Sequence, residues 1–212
     1  MVRFTSTEVS EERQDGVGST SDQQIDPVDL ARACEEALPH SKAGQFYGPI
    51  GDMAFGTGVI VTDLPYPVFL PNAGAYGTRR GTALIMSHEC DIDPDNVRPF
   101  NDNALVAPVI GLRTYVENVA HLYSVDETRS FILAVAKGLT TRLLFLPRFG
   151  DSSCPLYYGG LIDLNFMTSC GVKALSEASK ICALSGAAIS IVDVALQNHL
   201  IRPKADTPPL PH

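Results

Sequence analysis

Seven consecutive residues, Ser87-His88-Glu89-Cys90-Asp91-Ile92-Asp93, hold a hydroxyl, an imidazole, a thiol and three carboxylates. A short apolar run, Thr82 to Met86, leads into them, and Pro94 makes continuation of the same element unfavourable. Three kinds of chemistry fit. In the first, Cys90 is a nucleophile, because a nearby imidazole lowers a thiol pKa and the thiolate is the reactive species. His88 stands two residues away, on the same face if the strand continues. Asp91 completes this catalytic set from the opposite face, with His121 or His199 as a more distant base. The adjacent carboxylates work against a thiolate. In the second, His88, Cys90 and Asp91 or Asp93 ligate zinc, joined by Cys154, Cys170 or His199 from elsewhere; zinc accepts such a mixture. The Asp91, Asp93, Asp95 alternation lacks the glycine and distal glutamate of an EF-hand loop. In the third, Ser87, Asp91 and Asp93 bond a turn backbone, Cys90 fills a small apolar gap and Pro94 locks the exit. This structural account leads, and it still leaves a corner able to position a binding loop.

Other motifs carry less. Arg142 and Arg148 flank an apolar run and read as solvated strand ends. Tyr157-Tyr158 suits either base stacking or packing across a hairpin, and the hairpin is favoured. No GxxxxGK[ST] motif is present, so nucleotide hydrolysis of the P-loop type is unsupported.

The elements that must position these residues can be read from spacing. Residues 1–25 are polar and acidic and are expected to be a disordered leader. Asp26 and Pro27 open a helix with Leu30, Ala31, Cys34 and Leu38 on one stripe, which buries the Cys34 thiol. Strands are expected at Phe55 to Thr62, Pro67 to Leu70, Thr82 to Ser87, Ala104 to Ile110, Arg142 to Leu146 and Gly160 to Phe166. Helices are expected from about Asp126 to Lys137, ending at Gly138, and from about Gly186 to Ile201, capped by Ser185. On the second helix Ser190, Asp193 and Gln197 form one narrow polar stripe, and apolar residues cover the rest. Such a helix is either deeply packed or pressed against another subunit. The predicted fold is α+β: a bent antiparallel sheet or SH3-like β-barrel with an N-terminal helix and a long C-terminal helix. One globular domain spans 26–202, and residues 203–212 form a Pro-rich tail.

Composition sets the remaining bounds. The formal net charge of the 212 residues is −8, of which residues 1–36 contribute −6, leaving −2 for the body. A nearly neutral body lacks the electrostatic footprint of a nucleic-acid binder, so RNA is a partner that charge does not favour. The five cysteines are irregularly spaced with no CxxC pair, and no apolar h-region opens the chain. Free thiols in a cytoplasmic protein are the expectation. No window is apolar enough for a membrane helix.

Three segments, taken in order, resemble a known group. They are Leu84 to Ile92 with its Ser87, Cys90, Asp91 and Ile92; Leu143 to Pro147 with Gly160 to Leu164; and Ile181 to Ser185 leading into a helix that ends at Arg202. The group comprises bacterial and phage proteins with a Ser-x-x-Cys-Asp-Ile motif after a strand. Some of its members are similar to MazF/PemK-type SH3-like barrels of toxin–antitoxin or anti-phage systems. The resemblance covers roughly residues 79–202 and implies a fold and a context. MazF-type ribonucleases use an arginine with a hydroxyl residue near the scissile phosphate, and Arg79 or Arg80 with Thr82 would be that pair here. The low positive charge and the Cys90-Asp91 insertion depart from that pattern.

The leading functional expectation is a non-catalytic module of a bacterial or phage conflict system. It would bind a protein partner, or form a homodimer, through Ile191, Val194 and Ala195 of the C-terminal helix. The alternatives are a MazF-like endoribonuclease and a Cys90-dependent enzyme or zinc protein.

Overall fold

The first helix forms where the sequence sets a cap. The Asp26 side chain accepts a hydrogen bond from the Val28 amide at 2.8 Å, and Pro27 opens α1 (Pro27–Ala37). The computed structural model describes residues 25–38, 45–50, 54–70, 73–93, 95–96 and 102–201. The polar leader, the Pro-rich tail and Pro94 lie outside the described residues, apart from Ile25.

After α1 come β1 (Tyr47–Gly48), β2 (Val59–Leu70), β3 (Ala75–Ile85), α2 (Glu89–Ile92) and β4 (Asn103–Gly111). Then follow α3 (Leu112–Val119), α4 (Val125–Ala136), β5 (Leu143–Leu146) and β6 (Gly160–Asp163). A 3-10 turn at Leu164–Phe166 precedes β7 (Thr168–Gly171), α5 (Val172–Ser176), β8 (Ser179–Leu184) and α6 (Gly186–Leu200). The strand order is β1-β8-β2-β3-β4-β6-β5, with β7 pairing along β4, and each of these pairings is antiparallel. The architecture is α+β around an open sheet with β1 and β5 as end strands. The closed barrel expected from the strand pattern is not seen among the described residues.

The sheet is buried on both sides because alternate residues feed separate cores. Ile60, Leu84 and Cys182 point to one face, with Leu146, Leu156 and Ile162, and α6 lies over them through Ala188 and Val192. Val59, Val61, Ala83, Ile85 and Val106 point to the opposite face with Cys170 and Leu175. A third cluster joins α1, α3 and α4 to β5 and β6 through Leu30, Cys34, Leu112, Ile132, Phe145 and Leu161.

One irregularity controls which face β2 presents. Its register on β3 shifts between Val61 and Leu64, with Asp63 in left-handed backbone at φ 57°. An extra residue reverses the alternation. Val61 therefore shares its face with Leu64, Tyr66 and Val68. Without the bulge those three would point to the α6 side. Short polar residues such as aspartate tolerate this backbone better than most.

Two expected solvated arginines are instead paired. Arg142 grips Asp163 with Nε and Nη2 at 2.5–2.9 Å, and Asp163 is only 4% exposed. Arg148 holds Glu35 of α1 through Nε at 3.0 Å and Nη2 at 2.8 Å, which fastens α1 to the segment leaving β5. Tyr157 and Tyr158 do not pack across a hairpin. They sit edge to face in the turn before β6, their centroids 4.8 Å apart, with Arg113 over the Tyr158 ring.

Candidate functional site

The corner at residues 86–96 is built by side chains that replace a ladder. After β3 ends, the Met86 amide still donates to the Leu105 carbonyl at 2.9 Å. The Ser87 hydroxyl then accepts from the Leu105 amide at 2.8 Å, and Thr57 donates to the Ser87 carbonyl at 3.1 Å. The chain next turns into α2, where His88 is the N-cap. Its Nδ1 accepts from the Cys90 amide at 3.2 Å. Asp93 accepts from the Asp95 amide at 2.9 Å, and Asn96 donates to the Cys90 carbonyl at 2.5 Å. Ile92 is the buried anchor.

This placement corrects the extended geometry expected for His88 and Cys90. Residues 89–92 are helical, so the two side chains do not alternate as on a strand. The His88 ring nitrogen that is seen engaged meets the backbone of Cys90. Cys90 is exposed, whereas Cys34, Cys170 and Cys182 are buried. Burial pushes the Cys34 and Cys182 thiols up to about 12, with Glu35 adding to the first and Cys154 to the second. All five cysteines are free. Among the described residues, no group of three or more His, Cys, Asp or Glu side chains gathers as a metal-holding set, and none forms around His88, Cys90 and Asp93.

The Arg79, Arg80 and Thr82 group lies on β3, and the fold divides it. Thr82 is 8% exposed and pairs with Val109 inside the sheet. Arg80 and Arg79 are exposed on a two-stranded ribbon in which β2 and β3 pair only with each other, from Leu64↔Gly81 to Leu70↔Ala75. The Arg80 Nη1 donates to the Asp63 carbonyl at 3.0 Å. By register, Pro65, Pro67, Phe69, Tyr76, Thr78 and Arg80 share one face, and Arg79 falls on the other beside Tyr66. Phe69 and Tyr76 stack edge to face, 54% and 77% exposed. Sequence reading missed this aromatic pair. Its signal was the alternation of Tyr66 and Val68 inward and Phe69 outward, obscured by Pro65 and Pro67.

The third region is α6. Ser185 caps it by accepting from the Ala188 amide at 3.3 Å. Gly58, at φ 88°, lies beneath it; a Cβ there would meet the Ile189 side chain at 3.0 Å. Ala188 and Val192 are buried in the core, while Ile189, Ile191, Ala195 and Leu196 are partly buried against it. Ala195 thus turns towards the sheet. Ile191 is half-buried, also against this core, and Val194, Leu200 and Ile201 are 56%, 66% and 72% exposed. At 100° per residue, Ser190, Asp193 and Gln197 make one outer flank and Val194 and Ile201 the other, with Ile191 at the edge of the packed side. The helix is apolar on the side it buries and on a second side that it leaves open.

Among the described residues, no helix is long and apolar enough to cross a membrane. Comparison with protein-family models, with curated proteins and with solved structures yields no match for this chain.

Proposed function

We propose that the chain is a non-catalytic interaction module of a bacterial or phage conflict system, docking through the outer apolar flank of α6. The observation that carries the docking is the exposure of Val194 and Ile201, neighbours on one flank of a helix already anchored by Ala188 and Val192. Apolar side chains exposed side by side mark contact surfaces on soluble proteins. The conflict-system context rests on the Ser87/Cys90/Asp91/Ile92 resemblance. The corner itself supports a non-catalytic reading, because Ser87, His88, Asp93 and Asn96 are all engaged with backbone groups. The test is Val194→Glu in the full chain, at a position 56% exposed, with native mobility read in extracts of cells expressing it. The reading predicts that a larger assembly is lost while the melting temperature stays close to wild type. A folded variant in an unchanged assembly contradicts it.

A MazF-like endoribonuclease is the second reading, and the β2–β3 ribbon favours it. Exposed Arg80 shares a face with the Phe69–Tyr76 pair, a combination that suits stacked bases and a phosphate. Metal-independent cleavage of bare RNA, abolished by Arg80→Ala, is its signature; intact RNA after long incubation rules it out.

A further inference from the structure

We infer that residues 2–9 of this chain, Val2-Arg3-Phe4-Thr5-Ser6-Thr7-Glu8-Val9, add a third strand to the β2–β3 ribbon, parallel to β3 along its free edge. β3 has strands on both sides only from Thr82 to Ile85, where β4 lies along its outer edge. Among the described residues, β2 is its only strand partner from Ala75 to Gly81. Pro65 and Pro67 have no N–H to give to the ladder. The Pro67 carbonyl accepts from the Thr168 hydroxyl at 3.4 Å, so it points away from β3. The pairs Pro65↔Arg80, Pro67↔Thr78 and Phe69↔Tyr76 are therefore the non-hydrogen-bonded ones, and Tyr76, Thr78 and Arg80 turn their N–H and C=O groups outward. A row of outward backbone groups is a template for an extended segment.

Three features select residues 2–9 as the occupant. The segment is strand-forming, because Val2, Phe4, Thr5, Thr7 and Val9 are β-branched or aromatic and no proline interrupts it. Its chemistry matches the edge in one register. Phe4 and Glu8 are four residues apart, as are Tyr76 and Arg80, which share a face. Set side by side in parallel, Phe4 meets the exposed Phe69–Tyr76 pair and Glu8 meets Arg80, with Ser6 beside Thr78 between them. Arg80 gives one N–H to the Asp63 carbonyl, which leaves the guanidinium further donors. An antiparallel strand that seats Phe4 at Tyr76 carries Glu8 past the tip of the ribbon, away from Arg80. The ribbon from Leu64 to Gly81 holds Arg79 and Arg80 and no carboxylate, while Glu8, Glu11 and Glu12 cluster in the incoming segment. The third feature is reach. The fifteen residues 10–24 that join the segment to Ile25 span up to about 50 Å when extended, enough to cross a domain of this size. That tether holds the segment at about millimolar effective concentration, which favours the same chain over a neighbour. Placed there, it covers the ribbon face that the ribonuclease reading assigns to RNA.

Amide exchange and disulfide trapping in the full chain test the added strand. The Tyr76, Thr78 and Arg80 amides should exchange at least about tenfold more slowly in the wild type than in a Thr5→Pro, Thr7→Pro variant, which loses two donors of that strand. Ser6→Cys with Thr78→Cys, in a chain also carrying Cys90→Ser and Cys154→Ser, should close a disulfide within one chain under oxidised glutathione. Ser6→Cys with Arg79→Cys, on the other face, is the control and should link at least about tenfold less. Glu8→Arg should slow the link between positions 6 and 78, and Arg80→Glu added to it should restore the rate. A link no better than the control, with the three amides exchanging at one rate in both chains, overturns the added strand. Slow exchange that the two prolines leave unchanged overturns the choice of segment. A link formed only between two chains overturns the one-chain arrangement.

Discussion

A thiol reports its surroundings through the rate at which it is alkylated, and this chain spreads its cysteines across the range. Cys90 stands exposed beside the His88 cap, whereas burial carries Cys34 and Cys182 to about 12. Iodoacetamide at pH 8 followed by mass spectrometry should modify Cys90 first and leave Cys34 and Cys182 intact until the chain unfolds. Equal rates at all three would contradict the burial. The same shifts set the alkaline limit. Each buried thiol binds its proton more tightly folded than unfolded, so its contribution to stability is full below about 9.0, the ordinary thiol value, and declines as pH climbs towards 12. Tyr47, Tyr66 and Tyr115, also raised chiefly by burial, push in the same direction. The urea midpoint should therefore fall between pH 9 and pH 12, and less steeply in the Cys34→Ala, Cys182→Ala variant. Arg142→Ala leaves the buried Asp163 carboxylate with only the Asn165 amide as a donor and should cost about 2 kcal/mol by urea denaturation. A loss near zero would show that the half-exposed arginine is replaced by water. Cys34 was legible from the stripe it shares with Leu30 and Ala31. The Arg142–Asp163 pair was not, because partners 21 residues apart meet only once β5 and β6 have paired.

At the scale of elements, α6 depends on what lies beneath it. Gly58 holds left-handed backbone, and a methyl group there would press on the Ile189 side chain at 3.0 Å. Gly58→Ala should cost about 2 kcal/mol in chemical denaturation and loosen α6 selectively, visible as faster amide exchange in residues 188–196. Exchange that stayed slow there would show that α6 is held without this contact. The limits of α4 and α6 followed from local chemistry: Ser185 and Gly138 punctuate them, and Ser124 with Glu127 forms a capping box. The β2–β3 ribbon did not follow, since Pro65 and Pro67 read as breaks. The strand tolerates them because beyond Thr62 its ladder to β8 has ended and β2 pairs only with β3. The helical turn at Glu89 was equally hidden. An N-cap made by a histidine nitrogen leaves no sequence mark of the Ser, Thr, Asp or Asn kind.

For the whole molecule, the question is what covers the second apolar flank of α6. The sheet is shielded by α6 on one face and by α1, α3 and α4 at one end of the other, so the open flank is not needed to complete the core. The body carries little net charge, which removes a barrier to self-association without supplying an attraction to a polyanion. The antiparallel α+β class could be read from strand spacing and turns. The openness of the sheet depends on long-range pairing of β8 with β1 and β2, which no local pattern encodes. The most direct measurement is photo-cross-linking in cells expressing the full chain, with a photoreactive phenylalanine at Val194 or, as the control, at Asp193 on the polar flank. The account predicts a discrete adduct of higher mass from position 194, lost when Ile201→Lys is added, and little from position 193. No adduct at 194, or equal yields from both positions, would contradict it.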